Sequence, residues 1–294
     1  MNFKDKQNYF VGIIEESLSK CIKIESHYYP QLKEAMEYSL MAGGKRLRPV
    51  LALATAEIFD KSPQEVLAYA CSIEMIHTYS LIHDDLPAMD NDDYRRGKLT
   101  NHKVYGEAMA ILAGDALLNL AYENMINHAM TSDNNRSLKA MGIIAKYAGA
   151  LGMIGGQVID LDSEGKKVDI DKLKTMHSLK TGALIKAPVE SAAVICGATD
   201  TELEHLSGYA TNLGLAFQIK DDILDVEGSM EDMGKKPGSD ALCEKSTYVT
   251  LYGLDKSKKL LEDVTNEGVA FLEKFDIKAE FLKELAMSLV VRSN

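Results

Sequence analysis

Apolar residues recur at three- and four-residue steps along almost the whole chain, and no convincing run of strict alternation appears. From Gln64 onward Val66, Leu67, Ala70, Ile73 and Ile76 keep that spacing, and Ser62 with Pro63 just upstream supplies an N-cap and first-turn pair. The same pattern runs through residues 9–24, 32–41, 108–130, 138–161, 183–196, 202–226 and 257–275. Side chains so spaced share one helix face, and that face is buried by packing on other helices. Only 6 Pro occur in 294 residues, where roughly 5% is ordinary, so few helices need be broken by a residue without an N–H. The pattern predicts an all-α bundle of roughly ten helices. The breakers at residues 43–44, 91–97, 131–135, 163–167 and 228–238 are connections rather than linkers, which makes residues 1–294 a single domain.

Lys and Arg total 33 against 44 Asp and Glu, a formal charge of −11. A field of that sign argues against general nucleic-acid binding and against adhesion to an anionic membrane. The longest apolar stretches, 50–56 and 191–198, fall short of the roughly 18 residues that suggest a membrane span. The opening Met1-Asn2-Phe3-Lys4-Asp5-Lys6 carries no apolar core followed by a small-residue cleavage site. Cys21, Cys71, Cys196 and Cys243 lie tens of residues apart, a spacing of neither a zinc site nor a disulfide framework. Reduced thiols in a cytoplasmic protein are expected.

Two acidic clusters interrupt this pattern. Asp84-Asp85-Leu86-Pro87-Ala88-Met89-Asp90 closes one helix, and Asp221-Asp222-Ile223-Leu224-Asp225 sits late in another. Asp221 and Asp225 are four apart and share a face, with Gln218 one turn earlier. Pro87 ends or kinks the first helix, so Asp90 can fold back beside Asp84. Carboxylates embedded in apolar helix sequence are poorly placed for mere solvation. Converging carboxylates repel unless cations lie between them, and oxygen-only ligation suits Mg²⁺ shared with substrate phosphates.

Cations stand next to both features. Gly43-Gly44-Lys45-Arg46-Leu47-Arg48-Pro49 sets three beside flexible glycines, and Arg95-Arg96-Gly97-Lys98 follows the first cluster at once. Arg forks and Lys point charges both bind phosphate. His77 lies two turns before Asp84 on the same face, and Lys180-Thr181-Gly182, Lys235-Lys236 and Lys245 add further charge.

Taken with Ala110 to Asp115, Gly155-Gly156-Gln157, Lys180 to Leu184, Phe217-Gln218, Gly234-Lys235 and Lys245 to Tyr248, these motifs closely resemble the short-chain trans-prenyltransferases, most of all bacterial-type farnesyl diphosphate synthases. The resemblance implies an all-α fold around a central cavity, usually as a homodimer. It implies two Mg²⁺ held by Asp84 and Asp90 and a third opposite at Asp221, with Asp225 among the metal-binding carboxylates and Asp85 and Asp222 supporting. It also implies that Arg95, Lys180, Lys235 and Lys245 meet an allylic diphosphate, that Lys45, Arg48, His77 and Arg96 take isopentenyl diphosphate, and that Thr181 and Gln218 lie close to the reacting carbons.

The chemistry implied is ionisation of the allylic C–O bond, with the departing diphosphate stabilised by cations, in a cavity dry enough that the carbocation meets a double bond before water. Released diphosphate is the base usually proposed for the final proton. Product length depends on the depth of the pocket before Asp84, where Ser80 and Tyr79 stand about 6 and 7.5 Å up the axis at 1.5 Å per residue. A Tyr there and the Pro87-Ala88 insertion resemble the farnesyl-making, C15 pattern, with geranyl and geranylgeranyl products as alternatives. A His-Asp metal phosphohydrolase is the competing reading from another class, which His77 and His83-Asp84 suggest and which leaves Asp221 to Asp225 unexplained. A terpene cyclase typically carries Asn, Ser or Thr and Glu in its second metal motif, and a non-catalytic partner subunit is hard to reconcile with two intact clusters.

Overall fold

The structure is a computed structural model and describes residues 1–24, 27–132, 135–227 and 246–291. Fourteen α-helices occur among the described residues: α1 (Phe3–Leu18), α2 (Pro30–Leu40), α3 (Leu47–Ile58), α4 (Leu67–Asp84), α5 (Asn101–Tyr105), α6 (Glu107–Thr131), α7 (Asn135–Ala148), α8 (Met153–Ser163), α9 (Ile170–His177), α10 (Ala183–Cys196), α11 (Asp200–Glu227), α12 (Tyr248–Tyr252), α13 (Leu254–Ala270) and α14 (Glu280–Val291). The all-α expectation holds, and the larger helix number has local causes. Gly106, at φ 85°, separates α5 from α6, and the 138–161 stretch is broken at residues 149–152. At the other end Asn2 caps α1 by accepting the Asp5 N–H at 2.9 Å, so that helix starts earlier than its apolar spacing suggests.

One antiparallel hairpin, β1 (Tyr94–Arg95) with β2 (Lys98–Leu99), was not expected. Strands of two residues are too short for alternation to register. Arg96 and Gly97 both adopt positive φ, 53° and 74°, the turn whose twist joins two strands most tightly.

α3, α4 and α10 are buried nearly all round and form the centre. α10 packs on α3, α4, α7 and α11. α4 and α6 run antiparallel: His83 Nε2 meets the Ile111 carbonyl at 3.0 Å near one end, and Asn124 Nδ2 donates to Ala68 O and Ser72 Oγ at 2.8 and 3.0 Å near the other. Cys21 and Cys71, far apart in sequence, have side chains in hydrogen-bonding contact and are not bridged. Residues 135–163 are apolar and long enough to pass a membrane-span test on composition alone, but they break into α7 and α8. Leu151, Ile154 and Val158 there, and Ile111 and Leu112 on α6, are exposed.

Candidate active site

Asp84 is the last residue of α4, and the chain doubles back after it. The Asp90 N–H donates to the Asp84 carbonyl at 2.9 Å, which places Asp90 beside Asp84 as Pro87 predicted. The Asp84 carboxyl is buried, and burial pushes its pKa up. The negative Asp90 adds to that, while Lys180, Gln157 and Arg95 pull it back. Gln157 Nε2 donates to Asp84 Oδ1 from α8. Lys180 Nζ lies 3.8 Å from Asp84 Oδ2 and 2.5 Å from Asp160 Oδ2. Asp85 faces elsewhere: Arg95 Nε donates to its two oxygens at 2.7 and 2.9 Å, which fastens the hairpin to the end of α4.

Lys180 and Thr181 belong to a π-helical turn, Ser178–Gly182, between α9 and α10. Such turns break the helical ladder and are common at functional sites. Two glycines hold this one. A Cβ on Gly156 of α8 would overlap Lys180 N and Cα, and one on Gly214 of α11 would stand 3.1 Å from Gly182 Cα.

The basic residues sort into two roles. Arg46, which stands between Lys45 and Arg48 in the sequence and has no ligand assigned to it there, is a structural residue. It is buried, at φ 48°, and donates to Glu15 at 2.6 Å, Glu74 at 2.8 Å and the Leu40 carbonyl at 2.7 Å. That anchors the turn, with Lys45 exposed on one side and Arg48 half-buried on the other. Arg48 has a buried Nε with no hydrogen-bond partner among the described residues, and burial drops its pKa to about 10, with Glu74 and Asp221 acting against that fall and Arg96 with it. Arg96 donates to the Gly43 carbonyl and lies so close to Gly44 that a Cβ there would sit 2.6 Å from its Cζ. His77 is held well below the ordinary imidazole value by burial and then by Arg48, Arg96, Arg95 and Arg46. Asp221 and Arg96 both act electrostatically on Arg48; Arg48, Arg96 and Arg95 act on His77; and Arg95 and Lys180 act on Asp84, so the two acidic clusters share one basic surround.

On α11 Asp221 is exposed and Asp222 and Asp225 are buried. Asp222 Oδ2 accepts the Tyr248 N–H at 2.6 Å, so its role is to dock α12. Gln218 lies one turn before Asp221 and Asp222 on the same helix and is half-buried. Tyr79 is buried between α4 and α6, edge-on to His83 with ring centroids 5.7 Å apart, and burial with the nearby Tyr122 pushes its phenol up to about 12. Ser80 turns its hydroxyl back to the His77 carbonyl at 2.8 Å. Lys235 and Lys245 lie outside the described residues.

Sequence reasoning did not single out Asp160, Glu74 or His177. Asp160 stands three residues after Gln157 on one α8 face, the signal that could have found it. Among the described residues no three His, Cys, Asp or Glu side chains are already gathered as a metal cluster. The donor set is nevertheless that of a hard cation: Asp84 and Asp90 offer only carboxylate oxygens, close enough to repel, with Asp84 poorly solvated. Two histidines are unavailable to a phosphohydrolase-type centre, His83 being engaged with Ile111 and His77 being ringed by arginines.

The polyprenyl synthetase family pattern matches residues 29–277. A farnesyl diphosphate synthase of Micrococcus luteus is 46% identical over 287 residues, 97% of this chain and 96% of that protein. A geranylgeranyl diphosphate synthase of Cyanophora paradoxa is 44% identical over 283 residues, 96% of this chain and 94% of the relative. The crystal structure of an FPP/GFPP synthase from Zymomonas mobilis superposes with a TM-score of 0.89 at 35% identity, covering 98% of this chain and 99% of that one.

Proposed function

This chain belongs to the polyprenyl synthetase family, and within that family of prenyltransferases we propose that it makes farnesyl diphosphate. The reaction is head-to-tail condensation of isopentenyl diphosphate with dimethylallyl and then geranyl diphosphate, releasing diphosphate at each step. The observation that carries the reading is the apposition of the Asp84–Asp90 pair to Lys180, at the end of a helix whose preceding turn holds a buried Tyr79.

Asp84 and Asp90 would hold Mg²⁺ on one side and Asp221 on the other. When bound, the cations neutralise charge developing on the departing diphosphate. Lys180, clamped in its π-turn and shared with Asp160, supplies a fixed positive charge beside Asp84. Arg95, braced by Asp85, does the same from the hairpin. Lys45, Arg48, Arg96 and the neutral His77 bind the isopentenyl diphosphate, for which the unpartnered Arg48 Nε is a ready donor. Thr181 and Gln218 ease the allylic positive charge with neutral oxygens. The apolar helix walls exclude water.

A single domain over residues 1–294 is supported by the buried core, which extends from Phe10 to Leu289. A homodimer is supported by Ile111 and Leu112 on α6 and Ile154 and Val158 on α8, exposed apolar side chains of the kind a second copy would cover. A cytoplasmic setting agrees with Cys21 and Cys71 lying in contact as free thiols. The test is incubation of the purified protein with Mg²⁺, isopentenyl diphosphate and dimethylallyl diphosphate, followed by dephosphorylation and identification of the prenyl alcohols. Farnesol as the main product supports the reading; geranylgeraniol or geraniol reassigns the chain length, and phosphate release without condensation overturns it.

A further inference from the structure

The hairpin carries Arg95 and Arg96 on neighbouring positions, and paired strands of two residues are too short to hold a geometry unaided. Its underside gives little support, because a cavity of about 30 Å³, room for a water, lies between it and Thr78, Leu81 and Ile82 of α4. The order of its pairs turns one carbonyl outward. Arg95 opposes Lys98 beside the turn, Tyr94 opposes Leu99, and one pair further on the Thr100 N–H donates to the Asp93 carbonyl at 3.0 Å. Opposing pairs in an antiparallel ladder alternate between bonded and unbonded, so Tyr94 and Leu99 exchange no ladder bonds and the Leu99 carbonyl faces away from β1. There it meets α2, whose Tyr38 hydroxyl donates to it at 2.7 Å.

Tyr38 belongs to a stripe of α2 turned toward this region. Its ring stands edge-on to Tyr105 of α5, with centroids 5.6 Å apart. Asn101 Nδ2, at the start of α5, donates to the Ala35 carbonyl and to Ser39 Oγ at 2.8 Å each, and residues 35, 38 and 39 share one helix face. Just past the end of α2 the Gly43 carbonyl accepts from Arg96, in the turn that leads to Lys45 and Arg48. α2 thus grips the hairpin at Leu99 through Tyr38 and at Arg96 through Gly43.

We propose that Tyr38 is a positioning residue, whose hydroxyl fixes the hairpin against α2 so that Arg95 and Arg96 meet the two diphosphates at a set spacing from Lys45 and Arg48. The inference rests on the proposed places of Arg95 and Arg96 at those diphosphates. Asp85 and the Gly43 carbonyl hold the two guanidinium groups, whereas the Tyr38 bond holds the backbone on which both arginines stand. A guanidinium fork recognises phosphate through paired, directional bonds, so its base must be still as well as its tip. A displacement of about 1 Å in a positioning element is enough to be felt by a bound substrate.

Tyr38→Phe keeps the edge contact with Tyr105 and removes only the hydrogen bond. The variant is expected to unfold within about 4 °C of wild type, the scale of one lost hydrogen bond. Its KM is expected to rise about threefold to tenfold for both diphosphates with kcat within about twofold, because Asp84 and Lys180 are untouched. In an Arg96→Ala background the same change is expected to raise the isopentenyl KM no further while still raising the allylic one, since one of the two positioned groups is gone. Hydrogen–deuterium exchange provides a readout independent of turnover: amides of residues 94–99 are expected to exchange about fivefold faster in Tyr38→Phe, and those of α4 at the wild-type rate. Unchanged KM values, a fall in kcat alone, a further rise of the isopentenyl KM in the Arg96→Ala background, or wild-type exchange in the hairpin overturns the proposal. A wild-type protein without prenyl transfer overturns the function itself while leaving the exchange result to decide whether Tyr38 holds the hairpin.

Discussion

Arg95 grips Asp85 with its Nε at 2.7 and 2.9 Å from the two carboxylate oxygens, while Asp84, one residue earlier, is bonded to no arginine among the described residues and takes Gln157 and Lys180 instead. Adjacent identical residues therefore do different work. Asp85 is the post on which the hairpin is fixed, and Asp84 is the carboxylate presented to Lys180.

Asp85→Asn is accordingly expected to loosen Arg95, raising the KM for the allylic diphosphate with a smaller effect on kcat. Asp84→Asn is expected to remove kcat by about a thousandfold, the scale of losing a principal electrostatic element of an active site. Steady-state kinetics on the two variants separates them, and equal losses in both would contradict the division of roles.

Gly156→Ala drives a methyl group into the backbone of Lys180, which has no flexible side-chain end to yield. The π-turn must shift. The expected result is destabilisation of about 1–3 kcal/mol, the usual cost of overpacking, together with an activity loss of about a hundredfold, as a small displacement of a positioned cation produces. Gly12→Ala, in the exposed interior of α1 where a Cβ meets nothing within 4 Å, is expected to stabilise by about 0.5–1 kcal/mol. Thermal unfolding of both variants checks the contrast.

The helices and both acidic clusters were legible because each depends on local spacing. Asp90 returning to Asp84 followed from Pro87 alone. Spacing alone does not sort Lys45, Arg46 and Arg48, because a buried arginine and a phosphate-binding one look alike in Lys45-Arg46-Leu47-Arg48. What separates them is Glu15 and Glu74, which come from α1 and α4. Asp160 and His177 matter through partners 20 and 71 residues away, Lys180 in one case and Tyr248 in the other, and no periodicity encodes such pairs. The hairpin escaped notice because its turn geometry at Arg96-Gly97, rather than its strands, defines it.

His77 and His177 are both half-buried, and desolvation holds their pKa values below the ordinary 6.5, His77 well below and His177 at about 4. The sign follows from proton binding. Below pH 6.5 the unfolded chain takes up protons that the native histidines refuse, so stability falls as pH drops from 6.5 toward 4, by up to about 1.4 kcal/mol per pH unit for each group. His77→Asn is expected to flatten that fall without changing its direction. Denaturant unfolding of wild type and variant at pH 7, 6 and 5 measures the slopes, and identical slopes would show that His77 takes a proton freely in the native state.

Tyr79 decides product length if the prenyl tail grows down the face of α4 from Asp84. The ring is buried, braced edge-on by His83, and has Tyr122 of α6 as an electrostatic neighbour, so it is a fixed obstacle rather than a side chain able to swing aside. Tyr79→Ala removes that obstacle, and each isoprene unit adds apolar surface that the vacated space would bury. The variant is expected to release C20 and longer alcohols after dephosphorylation, with kcat for the first condensation little changed because Asp84 and Lys180 are untouched. Ser80→Phe, from the adjacent position, is expected to shorten products toward C10. Chromatography of the dephosphorylated products decides both, and C15 alone from Tyr79→Ala would mean that the tail runs along another helix.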